Sequence, residues 1–300
     1  MRSSSAVAIA IVIAAGTARA QPAPGFAVER YYASAPGAGW LVMDDLDIGR
    51  ELAGALSFTL GYAHDPLVVA GTSVVEHEAF SEIGAAISYR RVRLYANFTS
   101  PLAILGDGDA APHVDLGNTP DAISDPRVGV DVLLAGEPGA AFRFGAGAQL
   151  YVPNGKREDY DTDDTFRAMF RALVAGDAGR YSYAAQLGVH VRPLDESSIA
   201  GDPQGSELLF GVAGGARLPL PCAAITIGPE IVGATAFRSF FGWDTTAIEG
   251  LLSARFETLG PGRNVRVKLG IGGGIDPNFG APEWRAIASV EVFAAATKHP

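Results

Sequence analysis

The stretch Arg180 to Arg192, RYSYAAQLGVHVR, divides its side chains between two solvents. Tyr181, Tyr183, Ala185, Leu187, Val189 and Val191 fall on one face; Ser182, Ala184, Gln186, Gly188, His190 and Arg192 fall on the other. A period of two is that of a β-strand, whose successive side chains point to opposite sides. About 9 to 11 tilted residues cross the apolar core of a bilayer, whereas soluble strands more often stop near 5 or 6. The tyrosines stand at one end of the apolar face, where an aromatic girdle would sit. A single such segment is equally compatible with a soluble sandwich, so its recurrence decides.

It recurs from Leu52 onward. Leu52 to Tyr62, Ile83 to Tyr89, Val92 to Phe98, Arg127 to Leu134, Phe142 to Val152 and Phe166 to Val174 precede the opening segment. Glu207 to Ala216, Ile225 to Thr235, Ile248 to Phe256, Val265 to Ile275 and Trp284 to Val292 follow it, making twelve strands. Pro229 has no N–H to give to a ladder and is expected to mark a bulge. The connectors are sorted by length. The even-to-odd ones are short: Arg90-Arg91, Gly136 to Ala140, Gly176 to Gly179, Leu218 to Pro221 and Thr258 to Arg263. The others, at Ala63 to Ser81, Ala103 to Asp125, Pro153 to Thr165, Pro193 to Ser206, Phe237 to Thr246 and Asp276 to Glu283, are mostly long and polar. Short periplasmic turns, long external loops and an even strand number belong to outer-membrane barrels, and a sandwich has no reason to sort its loops in this way. Closure pairs every backbone group, as a bilayer requires. The expected fold is an all-β, transmembrane antiparallel up-and-down barrel of about 12 strands over residues 52–293, with both termini in the periplasm.

The N-terminus agrees with export. Arg2, the apolar run Ala6 to Ala15 and the A-x-A site ending at Ala20 read as a cleaved signal peptide over residues 1–20. With Arg2 and Arg19 gone, 21 basic residues face 33 acidic ones, a net charge of −12, which disfavours nucleic acid as a partner. The single cysteine, Cys222, has no internal partner and is expected to be an inert small residue near the periplasmic end. No later apolar run reaches 18 residues. Residues 21–51 hold Pro22, Pro24 and Pro36 among Phe26, Tyr31, Tyr32 and Trp40, too aromatic for a disordered leader. They are expected to form a periplasmic segment, with docking in the barrel mouth as one option. Residues 294–300 form a tail.

The inner face carries most of the charge on the strands. Basic positions there are Arg93, Arg127, Arg143, Arg167, Arg171, Arg192, Arg255, Arg266, Lys268 and Arg285, ten against the six acids Glu82, Asp131, Glu207, Glu230, Glu249 and Glu291. Gln149, Gln186 and His190 complete the lumen lining. The excess predicts anion preference in an open bore. The alternative is that these charges pair and rigidify a closed one, since small barrels fill their interiors with side chains. No G-x-S-x-G or H-E-x-x-H occurs, no histidines stand at ligand spacing, and neither a cofactor nor an enzymatic activity is expected. Asp159, Asp161 and Asp163, with Glu158 and Asp164, make a weak metal candidate lacking the glycine and glutamate of an EF-hand, and a solvated outer loop is the expected reading. Gly270, Gly272, Gly273 and Gly274 lie within a strand and leave lumen volume rather than cradle phosphate.

Three segments also carry a family likeness: GFAVERYY (Gly25 to Tyr32), WLVMDDLDI (Trp40 to Ile48) and GSELLFGVAGGARLPL (Gly205 to Leu220). They resemble the N-terminal barrel modules of OmpA-family proteins of myxobacteria and related Gram-negative bacteria. That resemblance implies outer-membrane location, a surround of lipid and lipopolysaccharide, and insertion by the barrel-assembly machinery, which would read the segment Val290 to Phe293. It implies no catalytic residue. The seven residues after Phe293 are too few for the peptidoglycan-binding domain that often follows such modules. The functional expectation is a porin-like passive channel for small solutes; the alternative is a structural or adhesive protein with a plugged lumen.

Overall fold

The computed structural model describes residues 26–29, 31–69, 72–106, 123–194, 205–242, 245–259, 263–276 and 280–294. The expected signal peptide, the start of the N-terminal segment and the tail after Ala294 lie outside the described residues.

Twelve strands form a closed antiparallel barrel in which each strand pairs with its sequence neighbours and β1 also pairs with β12. They are β1 (Ala53–Val69), β2 (Thr72–Tyr89), β3 (Val92–Leu105), β4 (Arg127–Ala135), β5 (Arg143–Tyr151) and β6 (Arg167–Ala178), followed by β7 (Tyr181–Val191), β8 (Glu207–Leu220), β9 (Ala223–Ala236), β10 (Thr246–Thr258), β11 (Arg263–Asp276) and β12 (Trp284–Ala294). Closure leaves no sheet edge unpaired. Arg90 and Arg91 both take positive φ, 50° and 71°, as a two-residue type I′ hairpin turn requires.

Alternation puts the large apolar side chains outside. Leu56, Phe58 and Leu60 on β1, and Leu187, Val189 and Val191 on β7, are exposed, while Ser57, Thr59, Ser182 and His190 between them are buried. Aromatic residues rim the apolar belt, with Tyr89, Phe142 and Tyr181 at the end of the short turns and Phe166, Phe237 and Trp284 at the loop end. An outward belt of this kind is stable only against lipid or another apolar medium.

Two local expectations are corrected. The first connector, expected over Ala63 to Ser81, is mostly strand: β1 runs to Val69 and β2 starts at Thr72, with register shifts between His64 and Val68. Asp65 and Pro66 end the clean alternation, but a bulge absorbs them and the pairing resumes beyond. Pro229 marks no bulge, for the β9–β10 register runs unbroken through Leu252↔Pro229. On its β8 side the ladder omits the pairs between Ala213↔Glu230 and Ala216↔Ile227, so the missing N–H costs no ladder bond there.

The core lies inside the barrel. Trp40, Leu41, Val42, Met43, Leu46 and Ile48 pack with the inward-facing Leu133, Leu173, Ala213, Leu251 and Ile287. Residues 26–29 and 31–50 traverse the lumen from the loop end to the turn end. Phe26 and Val28 pack with Leu67, Val74, Ile104 and Leu194 at the loop end. The chain descends to a turn at Ala35–Ala38, where Ala38 N–H donates to Ala35 O. It then rises to mid-barrel at Leu41–Met43 and leaves at the turn end, where Arg91 N–H donates to Gly49 O. Pro36, Gly37, Gly39 and Gly49 keep it from regular structure. Short-range bonds hold it instead, such as Ser34 Oγ to Trp40 O and Leu46 N–H to Asp44 Oδ1.

Candidate functional site

An irregular segment inside a barrel has no strand to pair with, and every buried N–H and C=O it carries needs a partner. The inward side chains of the wall supply them. Both oxygens of Glu230, fully buried on β9, accept backbone N–H groups: Leu41 at 2.9 Å, Val42 at 2.9 Å and Met43 at 3.3 Å. Such a nest of successive N–H groups is a ready anion site. Carbonyls are met by cations. Lys268 donates to Trp40 O (3.0 Å), Arg266 to Gly37 O and Ala38 O (3.0 and 2.9 Å), Arg127 to Ala33 O (2.6 Å) and Arg143 to Asp45 O (2.8 Å).

Ion pairs tie the same residues to each other and to the segment. Arg285 lies between Glu249 on β10 and Glu29 of the segment, 2.8 Å from each. Arg93 contacts Asp44 of the segment and Asp131 of β4, and Arg171 reaches the other oxygen of Asp131 at 2.8 Å. Glu291 pairs with both Lys268 and Arg266, at 2.8 and 3.1 Å. Arg255 stands 3.7 Å from Asp45 and over the Trp40 ring, 5.2 Å from its centroid. Arg143 also binds Asp177, and Arg167 binds Asp125, each at 2.8 Å. Gln149 donates to Tyr95 Oη, and Gln186 accepts from Arg171. His190 is fully buried, its Nδ1 3.2 Å from Tyr32 Oη and its ring between those of Tyr32 and Tyr151. The charges expected to line water are thus enclosed in contacts with one another and with the plug. Truncating one member leaves its partner buried and uncompensated, so the cost of losing a residue exceeds the net worth of the pair.

The acidic connector between β5 and β6 is a correction to the expected solvated loop. Asp159, Asp161 and Asp163 are buried and fold into the loop-end mouth over the segment. Asp163 accepts from Arg192 at 2.6 and 2.7 Å and from Ala27 N–H at 2.9 Å. Burial works against its charge, but Arg192 and then Arg167 outweigh it and hold the carboxyl well below the usual range. With Asp163 committed to arginines and Asp161 accepting from Lys156 N–H, these carboxylates do not converge as a ligand set. Cys222 is exposed at the short β8–β9 turn, at the end of the barrel where it was expected.

What sequence reasoning missed is the source of the counter-ions. Glu29, Asp44 and Asp45 of the segment, Asp163 and Asp125 of the loops, and Glu257 at the end of β10 offset the lumen cations. The excess of ten basic over six acidic lumen positions was the available signal, because a buried excess must find its anions elsewhere. The space left is small: a cavity between Tyr31, Glu82, Arg127 and Arg167 holds about 70 Å³ for water.

No protein-family model matches the chain, and comparison with curated proteins found none similar. Among solved structures the barrel is similar to an outer membrane channel from Pseudomonas putida F1, with TM-score 0.52 and 12% identity over 82% of this chain and 95% of that one. It is also similar to the NanC porin (TM-score 0.49, 8% identity, 81% and 100% covered). A third likeness is to the β-domain of the Bordetella autotransporter BrkA (TM-score 0.48, 13% identity, 80% and 99% covered). At these identities the likeness is one of fold, and the chain has the fold of outer-membrane β-barrel proteins.

Proposed function

We propose that this chain is an outer-membrane channel held shut by its own N-terminal segment, and that small solutes pass only when that segment shifts. The observation that carries the proposal is the Glu230 carboxylate seated on the N–H groups of Leu41, Val42 and Met43. A wall side chain that binds plug backbone, and not another part of the wall, makes a contact whose loss need not unfold the barrel. The outward apolar belt supports a surround of outer-membrane lipid and lipopolysaccharide, reached through the barrel-assembly machinery. The OmpA-family resemblance belongs to the same proposal: the described residues of two of its three segments lie in the plug, and the third contains β8, whose Gly211 and Gly215 lie against Met43 and Trp40. A second reading, a permanently plugged structural barrel, draws support from the loop aspartate Asp163, which closes the mouth over Ala27.

Single-channel recording in planar bilayers separates the two. The gated reading expects brief, rare openings of the full chain and a steady conductance when residues 21–50 are deleted behind the leader. Silence of both proteins, each folded by heat-modifiability, rejects the channel and leaves the structural barrel.

A further inference from the structure

On the outer wall at the loop end, beyond the lumen network, two carboxylates straddle one imidazole nitrogen. His64 Nε2 stands 3.6 Å from Asp65 Oδ2 and 3.7 Å from Glu283 Oε2, and one donor atom from each of the three residues lies within 4.8 Å of the others. From these positions we propose that His64, Asp65 and Glu283 form a binding site for a divalent transition-metal ion of the zinc class.

The local backbone explains how neighbours in sequence come to share one point. Successive residues of a regular strand point to opposite faces, so His64 and Asp65 would diverge. Here the register shifts after His64, and Asp65 takes a left-handed φ of 50°, which turns its carboxylate back beside the imidazole. Glu283 is brought in from the other side, its N–H donating to His64 O at 2.9 Å just before β12 begins.

Hydrogen bonding then fixes which nitrogen is offered. A carbonyl can only accept, so the 3.1 Å contact between His64 Nδ1 and Glu76 O places a proton on Nδ1. In the neutral ring Nε2 is left with its lone pair, aimed between two anionic oxygens. That arrangement is repulsive unless a proton on Nε2 or a metal ion lies between them. The two separations from Nε2 suit a metal ion: metal–nitrogen and metal–oxygen bonds of about 2.0 to 2.2 Å, opened to about 120°, put their donor atoms roughly 3.6 Å apart. A direct hydrogen bond would have drawn either carboxylate to about 3 Å. Asp65 Oδ1 is buried with no hydrogen-bond partner, so its carboxylate is not otherwise engaged. His77 stacks on His64 with ring centroids 5.1 Å apart and holds the ring in place, while the largely exposed Glu283 side chain is free to close the set. One nitrogen and two carboxylate oxygens are a mixed set that suits zinc and its neighbours better than calcium, which takes 6 to 8 oxygens. The Trp284 ring stands beside the imidazole, 6.1 Å between centroids, with Tyr62 against its other side at 4.8 Å.

The test uses the full chain folded in detergent and stripped with chelator. Zinc chloride is titrated calorimetrically into wild type, His64→Gln and Glu283→Gln, and the zinc-loaded wild type is examined by X-ray absorption. One saturable site with nitrogen and oxygen neighbours is expected, weakened by at least about 10- to 100-fold in each variant. Both substitutions lie at the rim, and unchanged heat-modifiability shows that the variants are folded. Absence of saturable zinc binding in wild type, or equal affinity in His64→Gln, overturns the assignment.

Discussion

Replacing Glu230 by alanine isolates the plug from the barrel. The carboxylate accepts three plug N–H groups and is fully buried, so the variant leaves three donors facing an apolar gap. Each stranded buried donor costs about 1 to 3 kcal/mol. The Met43 bond, at 3.3 Å, is the weakest of the three, and the desolvation of the carboxylate itself is relieved, so a net loss of about 3 kcal/mol is reasonable. At about 1.4 kcal/mol per tenfold, the undocked population rises by roughly two orders of magnitude. Glu230→Gln keeps one acceptor but turns an amide N–H2 toward a donor, and should fall between wild type and alanine. Open probability in planar bilayers reads the plug, and heat-modifiability reads the barrel. An open probability and a protease resistance of the plug both unchanged in the alanine variant would refute the idea that this nest holds the segment.

The wall was legible because its physics is local. Alternation at Arg180 to Arg192 and the two-residue turn at Arg90-Arg91 each depend on a few neighbouring residues, and closure follows from sorting the connectors. Where the sequence reading stopped short, at Ala63 to Ser81, an Asp-Pro pair resembles a strand end; only pairing between distant residues, Leu67↔Val75 among them, shows that the ladder resumes. Pro229 suggests a bulge for the same reason: whether a missing N–H matters depends on the neighbouring strand.

The plug was legible only in part. Its composition announced order, because Tyr31, Tyr32 and Trp40 are too costly to leave in water, but no periodicity says where an irregular segment lies. Its partners Glu230, Lys268 and Arg266 were assigned to the inner face, yet that face alone does not say whether they meet solute, one another or backbone. The glycines were a sharper clue. A Cβ at Gly270 would fall 2.3 Å from Leu41 Cδ1, at Gly211 2.5 Å from Met43 Cε, and at Gly145 2.8 Å from Leu46 Cδ2. Lumen volume inferred from glycine is volume taken by the plug's apolar side chains.

Four further outcomes follow. Leu187→Arg, placing a charge on the lipid face, should cost about 2 to 4 kcal/mol in a folding titration, and Gln186→Arg far less; equal costs would show that Leu187 does not face lipid. Deleting residues 21–50 removes Glu29, Asp44, Asp45 and Asp47 from a lumen richer in arginine and lysine than in acids, so the reversal potential in a salt gradient should show anion preference, and a cation preference would contradict it. Burial, and then the Asp45 charge beside it, push the Asp47 carboxyl up to about 6 in the docked segment. Because that value exceeds the ordinary 3.8, its contribution to docking is complete below about pH 4 and is lost as pH rises through 6, so plug protection should weaken over that window in wild type and stay flat in Asp47→Asn. The last outcome sets two glycines against each other. At Gly270 an added Cβ clashes with the far end of Leu41, which belongs to the plug, and meets the wall backbone only at the ordinary contact distance of 3.9 Å from Leu252 O, so Gly270→Val should overpack the Leu41 contact by about 1 to 3 kcal/mol and raise open probability with the barrel intact. At Gly228 a Cβ would lie 2.0 Å from Gly214 O, a wall backbone atom that cannot yield without parting β8 from β9. Gly228→Ala should therefore lower the fraction of heat-modifiable barrel and leave the surviving channels as closed as wild type. The opposite assignment of the two phenotypes would mean that Leu41 is part of the wall's stability and not of a removable plug.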